Sequence, residues 1–175
     1  MDHFVLRFDG GYGKADFIAM QKLYQKTVQP WWWKVFAVVM LLAGVFLVLG
    51  GALMLALDEE VFVQALVSLL MGALLVLLTL FRTRINAWAA RRNTPKMENL
   101  TLKLGDTEIT EKYSGVVVQM PYHNIARVFH YRSYYFLFLD DRRAHILPER
   151  AFVVGDPKDF PAFIEDRTGK RVEYI

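Results

Sequence analysis

Two long apolar runs dominate the hydrophobic pattern of the chain. Val35–Leu57 and Val61–Phe81 hold 23 and 21 residues, without a single Asp, Glu, Lys, Arg or His. At about 1.5 Å per residue, a helix of either length crosses a hydrocarbon layer of about 30 Å. Burial of both helices in a soluble core is the competing interpretation, but a chain of 175 residues has too little other protein to cover them. The pattern therefore predicts a transmembrane helical hairpin over residues 35–81.

The charges that flank the runs predict the orientation of this hairpin. Only Asp58, Glu59 and Glu60 separate the two runs. Eight basic residues flank their other ends, namely Lys22, Lys26, Lys34, Arg82, Arg84, Arg91, Arg92 and Lys96. Because cytoplasmic loops carry the excess of Lys and Arg, we expect a two-span protein of the cell inner membrane with both termini in the cytoplasm. Trp31–Trp33 fall at the same predicted interface, where indole rings are favoured.

Residues 82–97 form a basic juxtamembrane segment that is expected to continue the second helix into water. Its cations, Arg82, Arg84, Arg91, Arg92 and Lys96, are candidates for contact with anionic lipid headgroups, at about 1 kcal/mol for each cation near the surface. The commoner role of such cations is to fix topology, which requires no particular lipid. Membrane lipids are the first partner that the sequence predicts.

Small residues recur inside both runs at spacings that allow helices to approach closely. Ala52 and Ala56 are four residues apart, as are Ser68 and Gly72, and Gly44 precedes Gly51 by seven. Since the short turn enforces pairing within the hairpin first, we expect these residues to pack the two helices together. Contacts in a homo-oligomer or with a protein partner are the alternative.

Outside the runs the pattern is that of short strands and amphipathic helices. In residues 1–34, Phe4, Leu6 and Phe8 alternate as in a strand, and Lys14–Gln29 follows a helical period. That helix is expected either along the inner leaflet or packed on the following domain. Residues 98–175 contain closely spaced strand patterns with short turns, which predict an antiparallel meander, and end in a helix capped by Asp156 or Asp159. The predicted fold class is a membrane α-helical hairpin plus an α+β domain.

An aromatic motif in the second half of the chain carries family information. It runs from Tyr122-His123-Asn124-Ile125 through Tyr134-Tyr135-Phe136-Leu137-Phe138-Leu139 to Ile146-Leu147-Pro148-Glu149-Arg150-Ala151-Phe152. With the two preceding spans, this motif resembles the YcxB-like family of bacterial membrane proteins. The family positions correspond here to Tyr122, Ile125, Pro148, Arg150 and Phe152. The resemblance implies an antiparallel pleckstrin-homology-like (PH-like) β-sheet domain closed by a C-terminal helix, with the N-terminal strand completing the sheet, and it implies no catalytic residues.

Two motif residues have expected structural roles. Arg150 is predicted on the loop that enters the last helix, where it donates to backbone carbonyls or to Asp156. A guanidinium also suits carboxylate or phosphate ligands, so a binding role is the alternative. Phe152 is expected to fill the space between the sheet and the last helix.

The remaining side chains indicate no catalytic centre and no cofactor. The chain has no cysteine, and its four histidines, His3, His123, His130 and His145, lack metal-ligand spacing, so a metal site requires the fold to bring them together. One group of aromatic and basic residues has the composition of a base-stacking surface, namely Tyr131, Tyr134, Tyr135, Phe136 and Phe138 with Arg127 and Arg132. Strand propensity explains these aromatic residues more simply, and we predict no nucleic-acid partner.

Three hypotheses about function remain. We expect a non-enzymatic inner-membrane protein whose cytoplasmic PH-like domain acts as a ligand- or partner-binding scaffold or regulator. The first alternative is a membrane-bound enzyme or accessory subunit acting on anionic lipid or envelope precursors, for which Arg127 and Arg150 should converge with His130 or His145 in a pocket. A subunit of a larger complex is the third, and it requires outward-facing glycines in the spans.

Overall fold

The computed structural model describes residues 2–57, 62–94, 99–141 and 143–175. The elements are β1 (Phe4–Phe8), α1 (Lys14–Thr27), α2 (Trp31–Leu57), α3 (Phe62–Asn93), β2 (Leu100–Leu104), β3 (Glu108–Tyr113), β4 (Val116–Pro121), β5 (Arg127–His130), β6 (Tyr134–Phe138), β7 (Ala144–Pro148), β8 (Phe152–Val154), α4 (Phe160–Thr168) and β9 (Val172–Tyr174). Two 3-10 turns lie at Tyr122–Asn124 and Glu149–Ala151. The chain divides into two compact units, a hairpin unit of Thr27–Asn86 and a β-rich unit of residues up to Lys26 with Ala87–Ile175.

The hairpin unit contains two helices that are long and apolar enough to cross a membrane. Only 11% of the most apolar window of each helix is buried, whereas a core helix of a soluble protein buries most of its surface. The two predicted spans are thus confirmed as apolar helices. As expected, α3 continues beyond the apolar run into residues 82–97, and it ends at Asn93. The acidic turn predicted at Asp58–Glu60 lies outside the described residues.

Glycines bring α2 and α3 into close contact. A Cβ atom on Gly72 would lie 2.7 Å from the Gly44 carbonyl oxygen and 2.8 Å from the Val48 nitrogen. A Cβ atom on Gly51 would lie 2.9 Å from the Ala65 carbonyl oxygen. These glycines face the partner helix, as expected for packing within the hairpin, and not outward.

The alanine pair in α2 behaves differently. Ala52 and Ala56 are exposed, so the expectation that they pack the hairpin is wrong. Ala52 follows Gly51 by one position and Ala56 follows it by five. Both alanines therefore lie on a different face of the helix from Gly44 and Gly51.

The β-rich unit holds a five-stranded sheet in the order β4-β3-β2-β1-β8 and a four-stranded sheet in the order β7-β6-β5-β9. The N-terminal strand β1 lies between β2 and β8, with Phe4 opposite Leu104 and Phe8 opposite Leu100. The strand pairs are antiparallel except for β5 and β9, which are parallel. The α+β class is confirmed, and the N-terminal strand joins the sheet as the resemblance implies.

The structure differs from the predicted meander in two ways. The strands form two sheets, and β8 and β9 are not predicted. Each of these two strands has three residues, which is too few for an alternating pattern to be recognised in the sequence.

An aromatic core joins α4 to both sheets. The Phe160 ring lies 5.5 Å from the rings of Phe4 and Phe152 and 4.8 Å from the ring of Tyr135. Phe152 therefore fills the space between sheet and helix, as predicted. Asp159 is the N-cap residue, although its side chain makes no capping hydrogen bond, and proline occupies the first turn of α4.

Candidate functional site

The predicted lipid-facing cations differ in their environments. Arg82 in the hairpin unit is half-buried, whereas Arg84, Arg91 and Arg92 are exposed. The Arg82 guanidinium lies over the ring of Trp33, 5.5 Å from its centroid. Lys96 lies outside the described residues. Arg82 thus stands apart from the other described cations.

Three family-motif residues serve the fold. Ile125 is a core residue, and Pro148 is the last residue of β7. Tyr122 is buried, and its hydroxyl donates a hydrogen bond of 2.8 Å to the Gly105 carbonyl oxygen. Burial raises the pKa of Tyr122 above its ordinary range, so the hydroxyl remains a donor.

The expected partner of Arg150 is wrong. Arg150 lies in the 3-10 turn before β8 and donates hydrogen bonds to the Asp16 carboxylate and the Tyr134 hydroxyl. Asp156 instead accepts a hydrogen bond from the backbone nitrogen of Lys158. The hydrogen bond with Asp16 raises the pKa of Arg150. The sequence could not indicate this partner, because Asp16 precedes Arg150 by 134 positions.

The histidines and arginines of the enzymatic alternative do not converge in one pocket. His130 Nε2 lies 3.1 Å from Glu149, and Arg127 lies 3.1 Å from Glu173. His145 instead lies near the Glu111 carboxylate. In the described ranges, no group of three or more His, Cys, Asp or Glu side chains is placed to hold a metal ion. The convergence required by the first alternative hypothesis is not observed.

A cleft of about 360 Å³ lies within the β-rich unit. It is formed by the loop after β1, by α1, by the end of α3, and by β3 and β7. Phe17 and Met20 of α1 and Ile146 of β7 supply apolar walls, and Arg143 also lines the cleft. We call this cavity the α1 cleft. It combines an apolar surface with the polar side chains described next, a composition typical of ligand pockets.

Besides the exposed Arg143, three ionisable side chains line the α1 cleft: Tyr12, Glu111 and His145. Glu111 Oε2 lies 3.9 Å from His145 Nδ1, with the two side chains only 12% and 16% exposed. This separation is within reach of an ion pair but too long for a hydrogen bond. The Tyr12 hydroxyl is buried beside the Ile146 backbone and makes no well-formed hydrogen bond among the described residues. Because buried polar groups are normally paired, such a hydroxyl calls for an explanation.

Burial sets the electrostatics of these three groups. It raises the pKa of the Glu111 carboxyl and lowers the pKa of the His145 imidazole, and each shift favours the uncharged form. Burial also raises the pKa of Tyr12, and the charge of the nearby Glu111 adds to that effect. The cleft therefore presents a hydroxyl, an imidazole and a carboxyl group in a medium where each hydrogen bond is strong.

The sequence contained one overlooked signal for this cleft. Glu111 pairs with Leu102 across the sheet, and it shares the alternation of Ile109. Both apolar residues are buried, so alternation places a carboxylate on the core-facing side of a strand. Tyr12 belongs to the glycine-rich turn after β1, and no local pattern joins it to His145.

Fold and cleft together define a β-rich α+β domain on a chain that also carries two candidate membrane-spanning helices. The family model of the YcxB-like protein matches residues 104–165, and the C-terminal domain is therefore YcxB-like over these residues. This match confirms the resemblance drawn from the aromatic motif. No curated protein and no solved structure matches the chain.

Proposed function

We propose that the chain is an inner-membrane protein with two spans and cytoplasmic termini, whose PH-like domain binds a ligand or partner in the α1 cleft. In this proposal the protein is a scaffold or regulator and does not catalyse a reaction. Exposed apolar helices support the membrane placement, and the distribution of Lys and Arg supports the orientation. A protein partner or a homo-oligomer remains part of the proposal.

The observation that carries the binding role is the unpaired Tyr12 hydroxyl beside Glu111 and His145. An unpaired buried polar group costs about 1–3 kcal/mol. A ligand that hydrogen-bonds to Tyr12 would recover this free energy, and the apolar walls of the cleft would bury the rest of the ligand.

The test compares what the intact protein retains on purification from native membranes in a mild detergent. Wild type, Tyr12→Phe and Glu111→Gln would be analysed by mass spectrometry for co-purifying small molecules and proteins. Glu108→Gln is the matched control, because Glu108 lies on the same strand and its carboxylate contacts Gln119 instead of the cleft. We expect a compound or protein that wild type and the control retain and that both cleft variants lose. Recovery of only the protein and bulk lipid from wild type would contradict the proposal.

One observation favours the enzymatic alternative. A carboxyl group with a raised pKa beside an imidazole with a lowered pKa is an arrangement seen in acid–base catalysis. If the cleft catalysed a reaction on lipid or envelope precursors, incubation with a total membrane lipid extract would yield a product with wild type and the Glu108→Gln control. Glu111→Gln would yield none. Binding without conversion in that experiment supports the scaffold role.

A further inference from the structure

A second cavity lies in the hairpin unit, at the end where the tryptophans and arginines are found. This groove of about 150 Å³ runs between α2 and α3. Phe36, Met40, Leu75 and Leu78 form most of its walls. A volume of about 150 Å³ is enough for an apolar group the size of benzene. We call this cavity the Arg82 groove.

The walls of the Arg82 groove offer no free polar group except at one end. Thr79 lines the groove, but its hydroxyl donates a hydrogen bond of 2.8 Å to the Leu75 carbonyl oxygen in its own helix. Trp33 and Arg82 are the remaining polar side chains in the lining. The Arg82 groove therefore combines apolar walls with a guanidinium and an indole.

The Arg82 guanidinium has no carboxylate partner in the described part of the chain. The acidic residues of the hairpin unit are Asp58, Glu59 and Glu60, which the sequence places at the far ends of both runs. A guanidinium offers five N–H donors in a planar fork that matches a phosphate group. Trp33 covers one face of that fork, so its edge remains available for an acceptor.

We propose that the Arg82 groove binds one phospholipid, with a phosphate-bearing anionic headgroup on Arg82 and the start of an acyl chain in the groove. The features of the groove indicate its occupant. Its apolar walls end at a half-buried cation, at the edge of an uncharged run, and this arrangement complements an amphipathic anion. The inference rests on the proposed membrane insertion but not on the α1 cleft.

Arg84 provides the matched comparison. It lies two residues further along α3, is exposed, and does not line the groove. Its guanidinium lies over the Phe81 ring, 5.6 Å from the centroid. Both arginines contribute the same charge near the membrane surface, so only a built site distinguishes them.

The experiment measures lipid retention by the full chain. Wild type, Arg82→Gln and Arg84→Gln would be reconstituted in nanodiscs of phosphatidylcholine with a minor fraction of phosphatidylglycerol, released into mild detergent, and analysed by native mass spectrometry. We expect wild type to retain one phosphatidylglycerol per chain. Arg82→Gln should reduce this retention about tenfold, as expected for the loss of charge-assisted hydrogen bonds. Arg84→Gln should reduce it by less than about twofold.

Two further variants separate the parts of the site. Ala37→Leu adds volume in the groove lining while it keeps Arg82, and should also lower retention. Arg82→Lys keeps the charge but loses the planar fork, and should give intermediate retention. This variant also tests the site if Arg82→Gln fails to insert. Inorganic phosphate lacks an acyl chain, and it should not displace the lipid.

Three results would overturn the inference: equal retention by wild type and Arg82→Gln, equal losses in Arg82→Gln and Arg84→Gln, or displacement of the lipid by inorganic phosphate. The first shows no site, the second shows diffuse charge attraction, and the third shows a site for small anions. A chain that stays dispersed without detergent would contradict the proposed membrane insertion as well. An inserted chain with indistinguishable variants would contradict only the lipid site.

Discussion

Removal of either of two buried tyrosine hydroxyls in the β-rich unit should change the free energy of unfolding, in opposite directions for the two residues. Tyr122 donates to the Gly105 carbonyl oxygen, whereas Tyr12 makes no well-formed hydrogen bond among the described residues. In ligand-free protein, Tyr12→Phe should therefore raise the free energy of unfolding by about 1 kcal/mol, and Tyr122→Phe should lower it by about 1 kcal/mol. Thermal unfolding of purified protein in detergent measures both. If the two substitutions destabilise the protein equally, the Tyr12 hydroxyl has a partner and the binding role loses its main support.

The cleft also predicts how stability depends on pH. Glu111 has a pKa raised above 4.5, so the folded state holds its proton to higher pH than the unfolded state. The free energy of unfolding then falls as pH rises through that range and stays reduced above the folded-state pKa. Glu111→Gln should thus stabilise the protein at alkaline pH, and the gain should disappear below about pH 4.5.

His145 should change the pH dependence of stability in the opposite direction from Glu111. Its pKa is lowered below 6.5, so protonation costs more in the folded state, and stability falls as pH decreases from 6.5 through the folded-state pKa. His145→Gln should flatten this acidic side of the profile while it leaves the alkaline side unchanged. Unfolding midpoints across the pH range test both variants, with Glu108→Gln as the control carboxylate outside the cleft. Parallel profiles for wild type and both cleft variants would contradict the assigned burial.

At the scale of elements, Asp16 both caps α1 and fixes it to the rest of the β-rich unit. One carboxylate oxygen accepts a hydrogen bond of 2.8 Å from the Gly13 backbone nitrogen, as in a capping box, and the other accepts from Arg150. Asp16 is fully buried, whereas the Arg150 side chain is 57% exposed. The ion pair is therefore partly screened by solvent.

Removal of Arg150 should leave this buried carboxylate half-satisfied. We expect Arg150→Met to lower the free energy of unfolding by about 1–3 kcal/mol, less than for a fully buried pair because Arg150 is largely exposed. Asp16→Asn keeps an acceptor for Gly13, and in that background Arg150→Met should cost much less. A double-mutant cycle measures this coupling, and additive effects would show that the two side chains do not stabilise the α1 contact together.

The α2–α3 contact offers a matched pair of glycines. A Cβ atom on Gly72 would clash with the α2 backbone, but one on Gly50 would meet nothing within 4 Å. Gly72→Ala should destabilise the hairpin by about 1–3 kcal/mol, the usual cost of overpacking, since a backbone atom cannot move aside as a side chain can. Gly50→Ala should change stability by less than about 0.5 kcal/mol. Unfolding in mixed detergent micelles measures both, and similar losses would indicate that the helices do not meet at Gly72.

At the scale of the whole molecule, local pattern identified the elements and long-range pairing determined the rest. The apolar runs and the strand around Leu100–Leu104 are recognisable because their periodicity lies within a few residues. In contrast, β1 pairs with β2 although the whole hairpin separates these strands in the sequence. The cleft residues Tyr12, Glu111 and His145 likewise come from three separate segments. No local period encodes such contacts. The family motif indicated the α+β domain, yet most of its residues serve packing, so it gave no information about the α1 cleft.

The orientation of the hairpin is a property of the whole chain that the charge distribution predicts. Because the chain contains no cysteine, single substitutions create unique labelling sites. Lys170→Cys lies at an exposed position in the β-rich unit, and Glu59→Cys lies in the sequence between the two apolar runs. With the basic flanks inside, a membrane-impermeant maleimide should label Glu59→Cys in intact cells and Lys170→Cys only after permeabilisation. Asp2→Cys should behave like Lys170→Cys, because two spans return the chain to the side where it started. Labelling of Lys170→Cys in intact cells would invert the orientation and would place the α1 cleft and its ligand outside the cytoplasm.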